Sequence, residues 1–209
     1  MDGLALIGLQ AEVQRSASPD QLNTVLDQIK QLSDQDDFEG RLTLVIGENG
    51  LDLARQAGFA PRLKVGNWLG PVLVAAAEAG VQDLLLLGYH GKLVKLAGGI
   101  FHTHHHLADG RQEVLLALGL DADLSRPQLE GLRSAASVDA AFTALEAEDP
   151  AAAERLWDRL AEAVEQRSAA YIARYGRWSM RIGVVLFDRS RQLRRWGPAA
   201  AERFFTLKD

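Results

Sequence analysis

The side chains best suited to chemistry are concentrated in one stretch of the chain, residues 88–111. All five histidines lie there, and so do three cationic residues: His90, His102, His104, His105 and His106, with Lys92, Lys95 and Arg111. Imidazole titrates near neutral pH, and lysine and arginine bind carboxylates. The whole chain is acidic, with a formal net charge of -5, so this stretch is a local reversal of charge. We therefore expect it to contain the functional site.

A metal centre is one use to which these histidines could be put. Neutral imidazoles bind zinc, and three protein ligands can form a catalytic zinc site. The segment HTHHH at 102–106, however, lacks the His-Glu-x-x-His spacing, and the only nearby carboxylate is Asp109. We therefore predict no tightly bound protein metal and expect the histidines to act as hydrogen-bonding, acid–base or cationic groups. A histidine-based metal-binding protein is the alternative.

Composition argues against several other classes of protein. The chain has no cysteine, which excludes disulfides and thiolate ligands and is typical of a cytoplasmic enzyme. No apolar run approaches the roughly 20 residues of a membrane helix, and the first ten residues lack the basic segment of a signal peptide. Acidic net charge argues against a nucleic-acid partner. No Walker loop and no G-x-S-x-G nucleophile motif occurs.

The elements that must position the cationic stretch alternate between strands and helices. Buried apolar runs at 42–46, 62–65 and 84–87 are each followed by a glycine-containing loop and a helical pattern. Three such units in a row predict an α/β fold with a doubly wound, mainly parallel sheet and helices on both faces. Ligands bind such sheets at the carboxyl ends of the strands. We therefore expect the loops at 47–50, 66–70 and 88–92 on one edge.

The rest of the chain is predicted to complete one domain over 1–209. Residues 4–9 are predicted to form a strand, and Ser18 with Pro19 to start a helix that reaches residue 32. A helix at 112–118 should stop at Gly119, and a helical segment at about 120–176 should follow, with helices at 128–136, 138–148 and 151–175. Strands at 180–187 and 193–196 should pair as a C-terminal hairpin.

Two of the strand-end loops contain groups that can bind a ligand. In the turn GENG at 47–50, backbone N–H groups at a helix start could meet an anion, although such glycines often serve the backbone alone. Asn67 offers both a donor and an acceptor, and Trp68 could stack on a ligand or fill the core. Lys92 and Lys95 share a face if their segment is helical. Lys92, in a glycine-flanked loop, is the better candidate.

Three segments of the stretch at 88–111 form a long combined pattern: GYHGKLVKLA at 88–97, FHTH at 101–104 and ADGR at 108–111. Together they resemble the CbiD family, the cobalt-precorrin-5B (C1)-methyltransferases of anaerobic cobalamin (vitamin B12) biosynthesis. The turn at 47–50, the segment KVGNWLG at 64–70 and RIGVVLFD at 181–188 also fit, whereas Glu48 and His105 depart from the pattern. Family members are longer, with a separate N-terminal domain, so the resemblance implies that this chain corresponds to their C-terminal part.

The resemblance implies S-adenosylmethionine as methyl donor and a cobalt tetrapyrrole as acceptor. Residues expected to bind the donor are Gly47, Asn49, Gly50, Asn67 and Asp109. Residues expected to bind the acceptor are Lys92, Lys95, Thr103 and Arg111, while His102 or His104 would remove or shuttle a ring proton. A chain that supplies the missing domain and a homo-oligomer are further expectations, and a truncated, inactive or partner-dependent module is the alternative.

Overall fold

The computed structural model describes residues 19–47, 50–104 and 106–204. The predicted strand at 4–9, the capping residue Ser18, and Glu48, Asn49 and His105 lie outside this part. The described elements follow in the order α1 (Pro19–Ser33), β1 (Arg41–Ile46), α2 (Leu51–Gln56), β2 (Arg62–Val65), α3 (Leu69–Glu78), β3 (Asp83–Tyr89), α4 (His90–Ala97), α5 (Arg111–Asp121), α6 (Arg126–Ser134), α7 (Val138–Glu148), α8 (Pro150–Ile172), β4 (Arg181–Phe187), β5 (Leu193–Trp196) and α9 (Pro198–Phe204). None of the described helices is long and apolar enough to cross a bilayer.

The described strands form one mainly parallel sheet, as predicted. Their order is β2-β1-β3-β4-β5, and only β5 runs antiparallel, as the second strand of the C-terminal hairpin. The register places Ile46 beside both Val65 and Gly88, and Tyr89 beside Phe187. The carboxyl ends of β1, β2, β3 and β4 therefore meet at one edge.

Helices cover both faces of the sheet, but unequally. Alternate strand residues point to opposite faces, so Leu44 and Leu86 join a large core with α1, α3, α4 and α8, whereas Val45 and Leu87 join a small one. The small core is closed by Ala54 of α2 and by α9. Helices α5, α6 and α7 extend the larger side, which accounts for the predicted helical segment.

Several predicted helix boundaries differ from the structure: the helix predicted at 128–136 spans Arg126–Ser134, and the ends of α5 and α8 also differ, with close packing as the cause in α5. Helix α5 continues through Gly119 to Asp121. A Cβ atom on Gly119 would lie 2.8 Å from the side chain of Leu129, so this glycine permits close packing instead of ending the helix. Helix α8 ends at Ile172, before the predicted residue 175.

The predicted loop at 88–92 does not exist. Strand β3 continues through Gly88 and Tyr89, and α4 begins at the next residue, His90. Pairing of Gly88 with Leu186 and of Tyr89 with Phe187 extends the strand. Lys92 consequently lies in the first turn of a helix and not in a glycine-flanked loop.

One buried carboxylate joins the long helix α8 to the C-terminal elements. Glu165 accepts hydrogen bonds from the backbone N–H groups of Val184 at 3.0 Å, Ala199 at 2.9 Å and Ala200 at 3.1 Å. Its side chain lies directly against Gly197, where a Cβ atom would collide with it. Burial raises the pKa of Glu165, while the three N–H donors act in the opposite direction. The contact fixes α9 against β4.

Candidate functional site

Lys92 stands at the centre of the carboxyl edge. Gly47, directly after β1, has a φ of +87°, and a Cβ atom there would lie 3.3 Å from Lys92 Nζ. Because glycine has no side chain, the ammonium group can lie over this turn. The half-buried Lys92 lines two cavities, of about 600 Å³ and about 360 Å³, and Gly47 lines both as well. Lys92 and Gly47 thus form the boundary between two adjoining spaces.

The larger cavity is a cationic groove between α1 and the end of β2. Its charged lining residues are Arg62, Lys64 and Lys92, and no aspartate or glutamate of the described part lines it. Gln21, Thr24 and Gln28 of α1 and Asn67 add neutral polar groups. A groove with this charge suits a ligand that carries several carboxylates.

The smaller cavity lies between the ends of β1, β3 and β4. Tyr89, Phe187, Asp188 and Arg189 contribute to its wall. Burial, with Asp139 nearby, raises the pKa of Tyr89, so the phenol is a hydrogen-bond donor at neutral pH. The backbone N–H of Arg189 donates to Asp139 Oδ1 at 3.2 Å. Sequence reasoning missed Tyr89 and Arg189, although DRSR follows β4 as directly as the other loops follow their strands.

Residues 101–104 run alongside the loop after β2 and are bonded to it. Thr103 N–H donates to the Asn67 carbonyl at 3.0 Å, and Thr103 Oγ1 donates to Asn67 Oδ1 at 3.0 Å. Trp68 forms an isolated antiparallel bridge with His102, and their rings meet edge to face at 4.5 Å. The structure therefore brings Asn67 and Thr103 together as a buried pair, and it makes Trp68 part of this wall.

Lys95 has a different environment from the one predicted. It is only 2% exposed, and its ammonium donates to the carbonyls of Thr103 at 3.2 Å and Ala108 at 2.5 Å. Desolvation by burial lowers its pKa. These bonds clamp the segment 103–108 onto α4, an arrangement that argues against the predicted contact of Lys95 with a substrate carboxylate.

Replacing Lys95 with methionine should loosen this segment. The variant leaves two carbonyls without their charged donor, so we expect a loss of about 1.5–3 kcal/mol in the free energy of unfolding. Amide hydrogen exchange within 103–108 should also become faster than in the wild type. Lys92→Met, on the same helix but half-buried, is the matched control and should leave that exchange unchanged. Unchanged exchange at 103–108 in Lys95→Met would contradict the clamp.

His102 and His104 support the same segment. The backbone N–H of His104 donates to His102 Nδ1 at 3.4 Å, and that of His106 donates to His104 Nδ1 at 3.3 Å. Burial lowers the pKa of His102. Neither His102 nor His104 lines the two cavities beside Lys92. Within the described ranges, no three metal-ligating side chains converge.

Asp109 and Arg111 bind each other at the start of α5. Arg111 Nε donates to Asp109 Oδ1 at 2.5 Å and its Nη2 donates to Oδ2 at 2.8 Å. The Arg111 guanidinium lowers the pKa of Asp109 to about 2. The pair lines a separate cavity of about 310 Å³. Because Asp109 and Arg111 bind each other, the groups that were predicted to bind the donor and the acceptor are already engaged. Gly50 is buried against Val45 and Phe187 and lines neither of the two cavities beside Lys92.

His90, which was not among the predicted ligand-binding residues, is fully buried at the start of α4. Its Nδ1 lies 3.2 Å from the Phe187 carbonyl, and its Nε2 lies 3.8 Å from Asp139 Oδ1. A carbonyl oxygen can only accept, so the ring proton is on Nδ1. Burial lowers the pKa of His90, and the ring is therefore neutral at neutral pH.

This burial predicts that acid destabilises the protein. The pKa of His90 is lower in the folded state than in the unfolded state, where it is near 6.5. At pH values between these two pKa values, the unfolded chain therefore binds more protons than the folded chain. The free energy of unfolding should therefore fall as the pH drops below about 6.5. Urea unfolding at pH 7.5 and pH 5.5 measures the difference, which should be smaller in His90→Asn and unchanged in the control His106→Gln. An equal pH dependence in His90→Asn would exclude this residue as a cause.

A doubly wound sheet with two adjoining cavities at its carboxyl edge is the architecture in which α/β domains bind ligands. Residues 102–198 match the family model described as CbiD, C-terminal domain. The chain is 73% identical over its whole length to the cobalt-precorrin-5B C(1)-methyltransferase of Synechococcus sp. (strain CC9902), of which it covers 58%. It is 62% identical to the protein of that name from Prochlorococcus marinus (strain MIT 9313), over 99% of this chain and 55% of the relative. The chain is therefore similar over its whole length to proteins of this name, and nearly half of it matches the CbiD C-terminal domain.

The chain spans little more than half the length of the curated relatives it matches. No solved structure matches it at a significant level.

Proposed function

We propose that this chain takes part in methyl transfer from S-adenosylmethionine to C-1 of cobalt-precorrin-5B. The main observation in support of this proposal is the cationic groove of about 600 Å³ at the carboxyl edge. This groove adjoins a second cavity, and Lys92 lies between the two. The name of the relatives, cobalt-precorrin-5B C(1)-methyltransferase, supports the reaction and the acceptor. A methyltransferase needs a donor and an acceptor in contact, and two cavities that share one wall provide that arrangement.

The acceptor is assigned to the groove because of its charge. A precorrin carries several acetate and propionate groups, so it needs several fixed cations. Arg62, Lys64 and Lys92 line the groove. Asn67, expected from the sequence to bind the donor, lies on this side and is proposed to face the acceptor.

The donor is assigned to the smaller cavity. S-adenosylmethionine is cationic at sulfur and zwitterionic at its amino-acid end, so it needs one cation and one anion and not a cationic cluster. Besides Lys92, the cations Arg189 and Arg191 and the carboxylate of Asp188 line this cavity, and Tyr89 supplies a neutral donor. Arg191 pairs with Asp52 at 3.3 Å, so Arg189 is the cation that we assign to the carboxylate of the methyl donor. The absent side chain at Gly47 leaves room for Lys92 Nζ at the boundary between this cavity and the groove.

Transfer of a methyl group from sulfur to carbon is an in-line displacement in which acid–base groups have little to do. Alignment is the main contribution, and effective molarities can supply roughly 7–11 kcal/mol. Lys92 would hold an acceptor carboxylate at the boundary and thereby turn the ring edge towards the donor. We propose that His102 and His104 position the Asn67–Trp68 wall, because neither lines the two cavities.

Calorimetric titration tests this function. The chain should bind S-adenosylhomocysteine and a cobalt corrinoid with free carboxylates, and each should bind in the presence of the other. Competition between them would contradict two adjoining sites, and failure of both to bind would contradict the function. Binding of both without methyl transfer from S-adenosylmethionine would favour the partner-dependent alternative, in which the rest of the longer protein completes catalysis.

A further inference from the structure

A third cavity, of about 420 Å³, lies beside the smaller cavity and has no role in the function as described so far. It is lined by the start of α4, by α7, by Trp157 of α8 and by the turn after β4, and it shares Asp188 and Arg189 with the smaller cavity. His90, Asp139, Glu146 and Arg194 are among its polar lining residues. A ligand in the smaller cavity could therefore extend into it.

His90 presents a hydrogen-bond acceptor to this cavity. Its side chain is 1% exposed, and Nε2 has no hydrogen-bond partner among the described residues. Because Nδ1 carries the proton that Phe187 accepts, Nε2 offers a lone pair. A buried polar atom without a partner is rare in a folded protein and calls for an explanation. A ligand that donates a hydrogen bond provides one.

The carboxylate of Asp139 is a second group that can accept a further hydrogen bond. Its Oδ1 accepts from the backbone N–H of Arg189 at 3.2 Å, and in the described part of the chain its Oδ2 has no hydrogen bond. The neighbouring carboxylates are occupied, since Glu146 accepts from Trp157 Nε1 at 2.9 Å and pairs with Arg194. Asp188 accepts from Ser190 Oγ at 2.8 Å and from Arg194 at 3.2 Å.

We propose that His90 Nε2 and the Asp139 carboxylate bind a primary ammonium group, namely that of the methyl donor's amino-acid end. The donor assignment rests on the proposed function. An ammonium has three N–H donors, so it can serve two acceptors that lie 3.8 Å apart and also neutralise Asp139. An anion does not fit, because Nε2 carries no proton to donate.

Calorimetry with S-adenosylhomocysteine and its analogue without the amino group tests this assignment. The wild type should prefer the amino compound by about ten- to hundredfold, as expected for a charge-assisted hydrogen bond. Asp139→Asn, which keeps an oxygen for Arg189 N–H, should abolish most of that preference. His90→Asn, which keeps a donor for the Phe187 carbonyl, should reduce it. Asp36→Asn, an equal change of charge in the exposed loop before β1, should leave it intact.

The outcomes separate this inference from the proposed function. Binding of both compounds with the same preference in the wild type and in Asp139→Asn overturns the ammonium site and leaves the function standing. If neither compound binds, the donor assignment fails, and ¹⁵N NMR of the His90 ring during titration with propylammonium decides the site by itself. A shift of the Nε2 signal that is absent in Asp139→Asn supports an ammonium site, and no shift in the wild type overturns it.

Discussion

Replacing Lys92 with alanine is expected to weaken binding of a cobalt corrinoid polycarboxylate by about 1.5–3 kcal/mol, the value of one hydrogen bond to a charged group. Donor affinity should change little, because the donor needs few fixed cations. The loss should shrink at high ionic strength, since Lys92 is only half-buried. Titration of S-adenosylhomocysteine and the corrinoid into wild type and variant measures both affinities.

Two controls sharpen the Lys92 experiment. Lys30→Ala makes the same change of charge at an exposed residue of α1 that does not line the groove, and it should leave both affinities unchanged. Arg111→Ala should weaken acceptor binding less than Lys92→Ala, because Arg111 is already bonded to Asp109 through two atoms. Loss of donor binding with intact acceptor binding in Lys92→Ala would reverse the assignment of the two cavities.

Replacing Glu165 with glutamine should destabilise the fold by about 2–4 kcal/mol, because hydrogen bonds to a buried charged group are lost. Glutamine retains one acceptor oxygen, but its side-chain NH₂ group would face a backbone N–H group. Two hydrogen-bond donors would then meet without an acceptor between them. Either Ala199 or the pair Val184 and Ala200 would then be without an acceptor. Urea unfolding followed by circular dichroism measures the loss.

Glu162→Gln is the matched control for Glu165→Gln. Glu162 lies on the same helix one turn earlier, is partly exposed, and forms an ion pair with Arg159 at 3.0 Å. Pairs of this kind contribute about 0–1 kcal/mol. Equal losses in the two variants would show that the change of charge, and not the three N–H bonds, determines stability.

The strands could be predicted because they are local features. The runs at 42–46, 62–65 and 84–87 are apolar enough to be buried on both sides, and three consecutive strand–helix units imply a parallel sheet. The position of the edge site followed from that topology. Helix ends were harder to predict, and Gly119 is an example. A glycine that permits close packing against Leu129 cannot be distinguished in the sequence from a glycine that ends a helix.

The roles of individual side chains depended on contacts distant in sequence. Lys92 and Lys95 are three residues apart, and only tertiary packing places one at the boundary of two cavities and the other beneath residues 103–108. His90 is oriented by the carbonyl of Phe187, 97 residues away. Arg189 was missed because DRSR was interpreted as a hairpin turn, although β4 ends at the same edge as β3.

Backbone amide shift mapping with S-adenosylhomocysteine and the cobalt corrinoid tests most directly whether the carboxyl edge of the sheet is the site. The proposed site predicts shifts at Gly47, Asn67, Lys92 and Arg189, with the corrinoid acting mainly on Asn67 and Lys92. Gly40 and Gln82, at the opposite edge, should not shift. The proposed site would be contradicted if the shifts were confined to that opposite edge. It would also be contradicted if residues 102–106 shifted and the residues at the carboxyl ends of the strands did not.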